Sequence, residues 1–236
     1  MEWLDRLYLF TVLDAVGLGL LVVSWIGSTI IIENAPKSHR STSEIMAGYR
    51  RDWMRTFVDR DPRIFDSQII ASLRQGTAFF ASASMIAIGG GFALLGNAER
   101  LRGVAQDLTL ESDPIFLLEV KLLVLLLFAA NAFLKFVWSH RLFGYCSVIM
   151  AAVPNDPTDP KALPIALQAG EINITAARGY NRGLRSVYFG IASSAWLLGA
   201  EPLILASLVT LLVILRREFA SKSRHVLLNG APDAET

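Results

Sequence analysis

Four long apolar stretches, at residues 7–32, 76–98, 114–138 and 186–215, constrain this chain more than any motif in it. Each is near or above the ~20 residues that a helix needs to cross the hydrocarbon core of a bilayer. A greasy soluble domain of 236 residues could also be 53% hydrophobic, with a mean hydropathy of +0.44. Its apolar residues, however, would recur at amphipathic spacing, whereas here they are pooled in runs. The pooling predicts an all-α, polytopic membrane helical bundle.

The basic residues orient the bundle. The connection after the first stretch carries Lys37, Arg40, Arg50, Arg51, Arg55, Arg60 and Arg63, and such a cluster beside a span marks the cytoplasmic face. The loop at 97–113 holds Arg100 and Arg102 against Glu99, Asp107, Glu111 and Asp113, which suits the outer face. The last stretch, 186–215, is either one span or a hairpin turning at Gly199-Ala200-Glu201-Pro202. With a hairpin, 18 of the 22 Lys and Arg lie inside and four (Arg6, Arg100, Arg102, Lys121) outside; with one span the division is 14 to eight. Charge bias therefore favours five spans, at about 7–32, 68–97, 114–140, 184–199 and 202–217, with four as the alternative. The hairpin arms are short, about 14 apolar residues or ~21 Å each. Snorkelling arginines and helical continuation into the cytoplasm offset part of that deficit.

The expected organisation is a single membrane domain over 1–226 and a flexible tail over 227–236, with the N-terminus periplasmic and the C-terminus cytoplasmic. The N-terminal stretch is longer than a signal-peptide core and lacks its basic leader, so it reads as a retained first span carrying Asp14 about two turns in. The third span begins at Pro114 and projects towards Val153. Between the first two spans, Ser41 and Glu44 have capping-box spacing, and Ile45, Met46, Tyr49, Trp53, Met54, Phe57 and Val58 recur at helical intervals. They predict a cytoplasmic amphipathic helix over 43–58, an interfacial lever against anionic lipid.

Several stretches resemble the bacterial membrane-protein family of domain of unknown function 599. They are Trp53-Met54 with Arg60 and Arg63-Ile64-Phe65-Asp66, Phe79-Phe80-Ala81-Ser82, Lys135-Phe136 with Trp138 and Arg141, Asn181-Arg182-Gly183-Leu184-Arg185, Tyr188-Phe189, and Arg217-Glu218-Phe219. Together they cover most of the chain from about 45 to 225. The resemblance implies a bacterial inner-membrane location and transfers no catalytic residue.

Candidate sites follow from ionisable residues near or in the spans. Arg178, Arg182 and Arg185 are spaced i, i+4, i+7, with Glu171 seven residues before Arg178, so a helix places all four on one face. Paired guanidinium forks suit phosphate or carboxylate, or the headgroups of lipids. Gly179 and Gly183 lower helix propensity and threaten to break the stripe. Arg74, Lys135 and Asp66 are expected to converge at one depth near the inner surface, as a polar vestibule or as structural ion pairs. Arg55, Arg63 and Arg141 complete the anion- or headgroup-binding candidates. Asp14, Asp66, Glu119, Lys121 and Glu171 are the candidate ion-pair partners, with Asp14 and Lys121 the best-matched pair, since Glu119 and Lys121 are two apart and face apart. The small residues from Gly76 to the Gly89-Gly90-Gly91 run suit close helix packing, or else an unwound pore-lining segment.

Other chemistries find no support. Cys146 is a single cysteine read as a small buried residue. His39, His140 and His225 lie at or beyond the inner surface, which denies an intramembrane bis-histidine haem, and no spacing suggests a zinc site. There is no P-loop or nucleophile elbow. Asn173-Ile174-Thr175 is an incidental glycosylation pattern. The net charge of +1 gives no reason to expect nucleic acid as a partner. The expectation is a protein without enzymatic activity, cofactor or metal, in contact with anionic membrane lipids, and a homo-oligomer or a subunit of a membrane complex. Its leading function is channel or transport-like handling of a small anionic solute. The alternative is a non-catalytic accessory or lipid-binding subunit of a larger complex.

Overall fold

The structure is a computed structural model that describes residues 8–99, 103 and 114–229, and every regular element among them is helical. The order is α1 (Val12–Glu33), a 3-10 turn (Lys37–His39), α2 (Thr42–Val58), α3 (Ile64–Leu95), α4 (Ile115–Ala151), α5 (Ala162–Ser194), a 3-10 turn (Ala195–Leu198), α6 (Ala200–Phe219) and α7 (Lys222–Asn229). The 104–113 part of the acidic loop and the 230–236 part of the tail lie outside the described residues, as do Arg6, Arg100 and Arg102.

α1, α3 and α4 are each long and apolar enough to cross a membrane. In the most apolar window of α3 only 11% of the residues are buried, and Phe79, Ile86 and Phe92 stand exposed. Such faces are unfavourable in water and at home in lipid, which makes this an all-helical membrane protein. The apolar region at 186–215 is not one continuous helix. Gly199 has φ of 131°, a conformation that favours glycine, and separates the end of the α5 region from α6.

α1 starts later than expected, which changes the environment of Asp14. Thr11 precedes the helix, its Oγ1 accepting from Asp14 N at 3.1 Å, while Asp14 Oδ2 accepts from Thr11 N at 2.9 Å. This is a reciprocal capping box with Asp in the third helical position. Asp14 is therefore a first-turn residue near the positive end of the helix and not a charge two turns inside a span.

The described residues fall into two compact units. The first, termed the apolar unit, is built from Met1–Ile30, Ala83–Ala132 and Leu184–Ile214; the second, the basic unit, from Ile31–Ser82, Phe133–Gly183 and Leu215–Thr236. All described Lys and Arg except Lys121 and Arg185 belong to the basic unit.

In the apolar unit, glycines let helices approach. A Cβ on Gly91 would lie 2.4 Å from Leu126, and one on Gly17 would lie 3.0 Å from Leu203. The triple-glycine run is therefore helical and used partly for close packing, and it is not unwound. Trp25 meets Phe128 edge to face at 5.0 Å, and Asn131 donates to Ser186 Oγ at 2.7 Å.

In the basic unit, α2 is fixed at its start by one hydroxyl. Ser41 Oγ accepts from Glu44 N at 3.2 Å and donates to Ile32 O at 2.9 Å, so the cap also ties down the end of α1. α2 buries Met54, Phe57 and Val58 against Ile70 of α3, Cys146 and Met150 of α4, and Ala162, Ala166 and Ala169 of α5. The alanine row at i, i+4, i+7 and Gly170, whose Cβ would stand 3.0 Å from Met54 Cγ, bring these backbones together. The C-terminal helices join the same layer. Thr42 Oγ1 donates to Glu218 O at 3.0 Å, Arg224 Nε to Arg40 O at 3.0 Å, and His39 stacks on Phe219 at 5.5 Å.

Candidate functional site

The basic unit contains a cavity of about 370 Å³ formed by α2, α3, α4, α5 and the end of α6. Its apolar wall includes Met46, Leu73, Phe143 and Ile174, and its polar groups include Ser43, Arg50, Thr77, Arg178, Asn181 and Glu218. The apolar positions of α2 explain why an arginine reaches it. Ala47 and Met54 are buried, and Arg50 lies three residues after the one and four before the other, on the inward face of the helix.

The charges of the cavity differ in how they are met. Glu218 is satisfied at the start of α2, where Ser43 N donates to Oε2 at 3.0 Å and Ser43 Oγ donates to Oε1 at 3.1 Å. A carboxylate is favoured there by the exposed amides of the first turn. Arg178 Nη2 pairs with Glu44 at 3.4 Å. Arg50 has no carboxylate partner among the described residues. Its Nη1 donates to Oδ1 of Asn173, a fully buried amide whose Nδ2 faces Cys146 Sγ at 3.6 Å. Burial pushes the Arg50 guanidinium below its ordinary pKa. It remains a cation at neutral pH, aligned by a neutral amide beside an open volume.

The α5 stripe is continuous, because its glycines are positions of close approach. A Cβ on Gly183 would lie 2.7 Å from the Phe136 ring, and one on Gly179 would lie 3.6 Å from Ser139 Cβ. Its arginines are paired within the chain. Arg182 grips Glu33 at the end of α1 through Nε at 2.9 Å and through Nη2, and Arg51 holds Glu171 at 2.6 Å. That pairing raises the Arg51 pKa above its ordinary value. Arg185, which belongs to the apolar unit, is buried and donates from Nε to Thr29 Oγ1 at 3.0 Å.

The acids expected near Arg74 and Lys135 are taken by other residues. Asp66 is fully buried and accepts from Trp53 Nε1 at 2.6 Å and from Arg60, while Glu171 is held by Arg51. Arg74 is exposed and Lys135 half-buried, so these two cations and Asp66 do not form one cluster of pairs. Arg55 pairs with Asp52 at 2.8 Å, and Arg141 donates to Tyr145 Oη at 3.0 Å. Arg63 donates to three backbone carbonyls, those of Val58, Val153 and Pro154. In the apolar unit, Asp14 and Lys121 meet on one indole. Trp196 Nε1 donates to Asp14 Oδ1 at 2.6 Å, and Lys121 Nζ stands 6.0 Å from the Trp196 ring. Glu119 is half-buried.

Sequence reasoning passed over Arg50 as a site residue, placing it in the basic cluster that marks the cytoplasmic face. The signal was present in the α2 periodicity, since residues 43, 47, 50, 54 and 57 share a face.

Across residues 15–223 the sequence matches a family described as a protein of unknown function, DUF599. The chain belongs to the DUF599 family. No curated protein and no solved structure matches this DUF599 protein. Its functional reading therefore rests on the cavity itself.

Proposed function

We propose that this DUF599 protein is a multi-pass protein of the bacterial inner membrane that handles a small anionic solute in a channel or transport-like manner, without catalysis, with Arg50 as the group that meets the solute. The observation carrying this reading is a largely buried guanidinium with no carboxylate partner among the described residues, lining a cavity of about 370 Å³ beside Ser43, Thr77 and Asn181. A carboxylate or phosphate entering there would supply the missing charge and accept several hydrogen bonds. Proteoliposomes test it. Uptake of phosphate, chloride or a small carboxylate above that of empty liposomes is expected, and its loss in Arg50→Gln.

The intramolecular pairing of Arg178 and Arg182 favours a second reading, in which the protein is an accessory or lipid-binding subunit and the stripe fastens helices. Binding of anions without flux would select it. Native mass spectrometry of gently extracted protein separates a homo-oligomer from a hetero-complex.

The topology that accompanies this proposal has five spans, the last two being the short arms at 184–199 and 202–217, with the N-terminus periplasmic and the C-terminus cytoplasmic. Two observations support the hairpin: the helix breaks at Gly199, and the residues before Leu184 and after Ile214 belong to the same compact unit. A reporter fused after Arg224 is expected to read cytoplasmic and one inserted near Gln106 periplasmic. Periplasmic signals from both would reduce the last region to a single crossing.

A further inference from the structure

A second cavity, of about 320 Å³, lies in the basic unit against α3 and α4. The α3 side presents Arg63, Ser67, Ile70, Ala71 and Arg74, spaced i, i+4, i+7, i+8 and i+11, which is one helical face. Like the Arg50 cavity it is lined by two arginines, but no carboxylate corresponding to Glu218 lines it. Arg63 is fixed in place: its guanidinium sits 4.5 Å from the Phe57 ring centroid and is held by carbonyls at 2.8 to 3.2 Å. Carbonyls orient it and soften its charge without cancelling it. The Arg74 side chain has no hydrogen-bond or ion-pair partner among the described residues and is exposed.

Depth along α3 identifies the surroundings of Arg74. From Gly76 to Leu95 the helix runs for 20 residues without a charge. That length is about 30 Å, the thickness of the hydrocarbon core, so a residue two positions earlier stands at the level of lipid phosphates. An unpaired arginine at that level is stabilised by a phosphate, to which its planar fork donates two parallel hydrogen bonds. Ser147 and Asn155 add hydrogen-bonding groups to the pocket, while the exposed Ala71 and Ala151 offer apolar surface to the first part of an acyl or glycerol moiety.

We propose that this second cavity binds the phosphate of an anionic phospholipid headgroup through Arg74 and Arg63. The chemistry it shares with free inorganic phosphate makes the source of the phosphate part of the test. Delipidated full-length protein in detergent is titrated with short-chain phosphatidylglycerol, with phosphatidylcholine of the same chain length, and with inorganic phosphate, and adducts are counted by native mass spectrometry. Phosphatidylglycerol is expected to bind in preference to phosphatidylcholine, and Arg74→Gln to weaken it about tenfold, the loss of one charge-assisted fork. Ala71→Leu, which fills the cavity and leaves both arginines, is expected to weaken it as well, and so covers the case in which Arg74→Gln extracts poorly. Unchanged phosphatidylglycerol binding in both variants would overturn the site. Competition by inorganic phosphate as strong as that by the lipid would overturn the lipid as its occupant.

Discussion

Arg182 and Arg50 are both arginines of the basic unit, yet their surroundings give them opposite roles. Arg182 clasps Glu33, whose side chain is 14% exposed, and so joins the end of α1 to α5. Arg50 is aligned by the uncharged amide of Asn173 and faces a cavity. A charge answered by an opposite charge within the fold is a fastener, and little of its field is left for a ligand. A charge answered only by a dipole keeps its net field, at a cost in desolvation that a bound anion would offset. Counting arginines on a face does not separate these cases; their partners do.

The largest expected effect breaks the packing beneath the stripe. Gly183→Val would force a branched side chain against the Phe136 ring, which is fully buried and also contacts Phe80 and Tyr180, with no free space to turn into. Overpacking of this kind costs about 1–3 kcal/mol. The variant should lose several degrees in thermal midpoint in detergent, and an unchanged midpoint would contradict the close approach of α4 and α5.

Arg182→Gln comes next, because it leaves Glu33 poorly solvated and without its main cation. Arg182 is itself 45% exposed, so screening limits the loss to about 1–2 kcal/mol. Arg178→Gln should cost less, about 0–1 kcal/mol, since the Arg178–Glu44 pair is longer at 3.4 Å and exposed on both sides. Thermal melts of the two variants sharpen the comparison. The reverse order would mean that Arg182 is not the stronger fastener.

The smallest effect concerns the turn between α4 and α5. Thr158 donates its N–H and hydroxyl to Asp156 Oδ1 at 2.9 and 2.6 Å, which lowers the carboxyl pKa below its ordinary value. A lowered folded-state pKa means that the contribution is present above the unfolded value and is lost as pH falls through the folded one. Asp156→Ala should therefore lower stability slightly at neutral pH, leave it unchanged at acid pH where the contribution is already lost, and so flatten the acid side of the pH–stability profile, as melts over a pH series would show.

Much of this was legible in the sequence, and the losses have specific causes. The apolar runs predicted the helical membrane class, and Ser41 with Glu44 predicted the start of α2. The face shared by Arg178 and Arg182 was also readable from spacing. Their partners were not, because Glu44 and Glu33 lie 134 and 149 residues away along the chain. Gly179 and Gly183 read locally as weak points of a helix, whereas their role is set by Ser139 and Phe136 on a different helix. Asp14 read as a charge inside a span because Thr11, a few residues on from the apparent start, was not recognised as its capping partner. Arg50 was hidden among six other cations of the same connection, where charge pattern outweighed helical periodicity.

The most direct test of the Arg50 account is equilibrium binding of inorganic phosphate and a small dicarboxylate to the detergent-purified protein, comparing the parent with Arg50→Gln and Arg178→Gln. Arg50→Gln is predicted to lower affinity at least about tenfold, and Arg178→Gln, whose charge is already met by Glu44, by a much smaller factor. Equal losses in both variants, or binding indifferent to Arg50, would contradict the account.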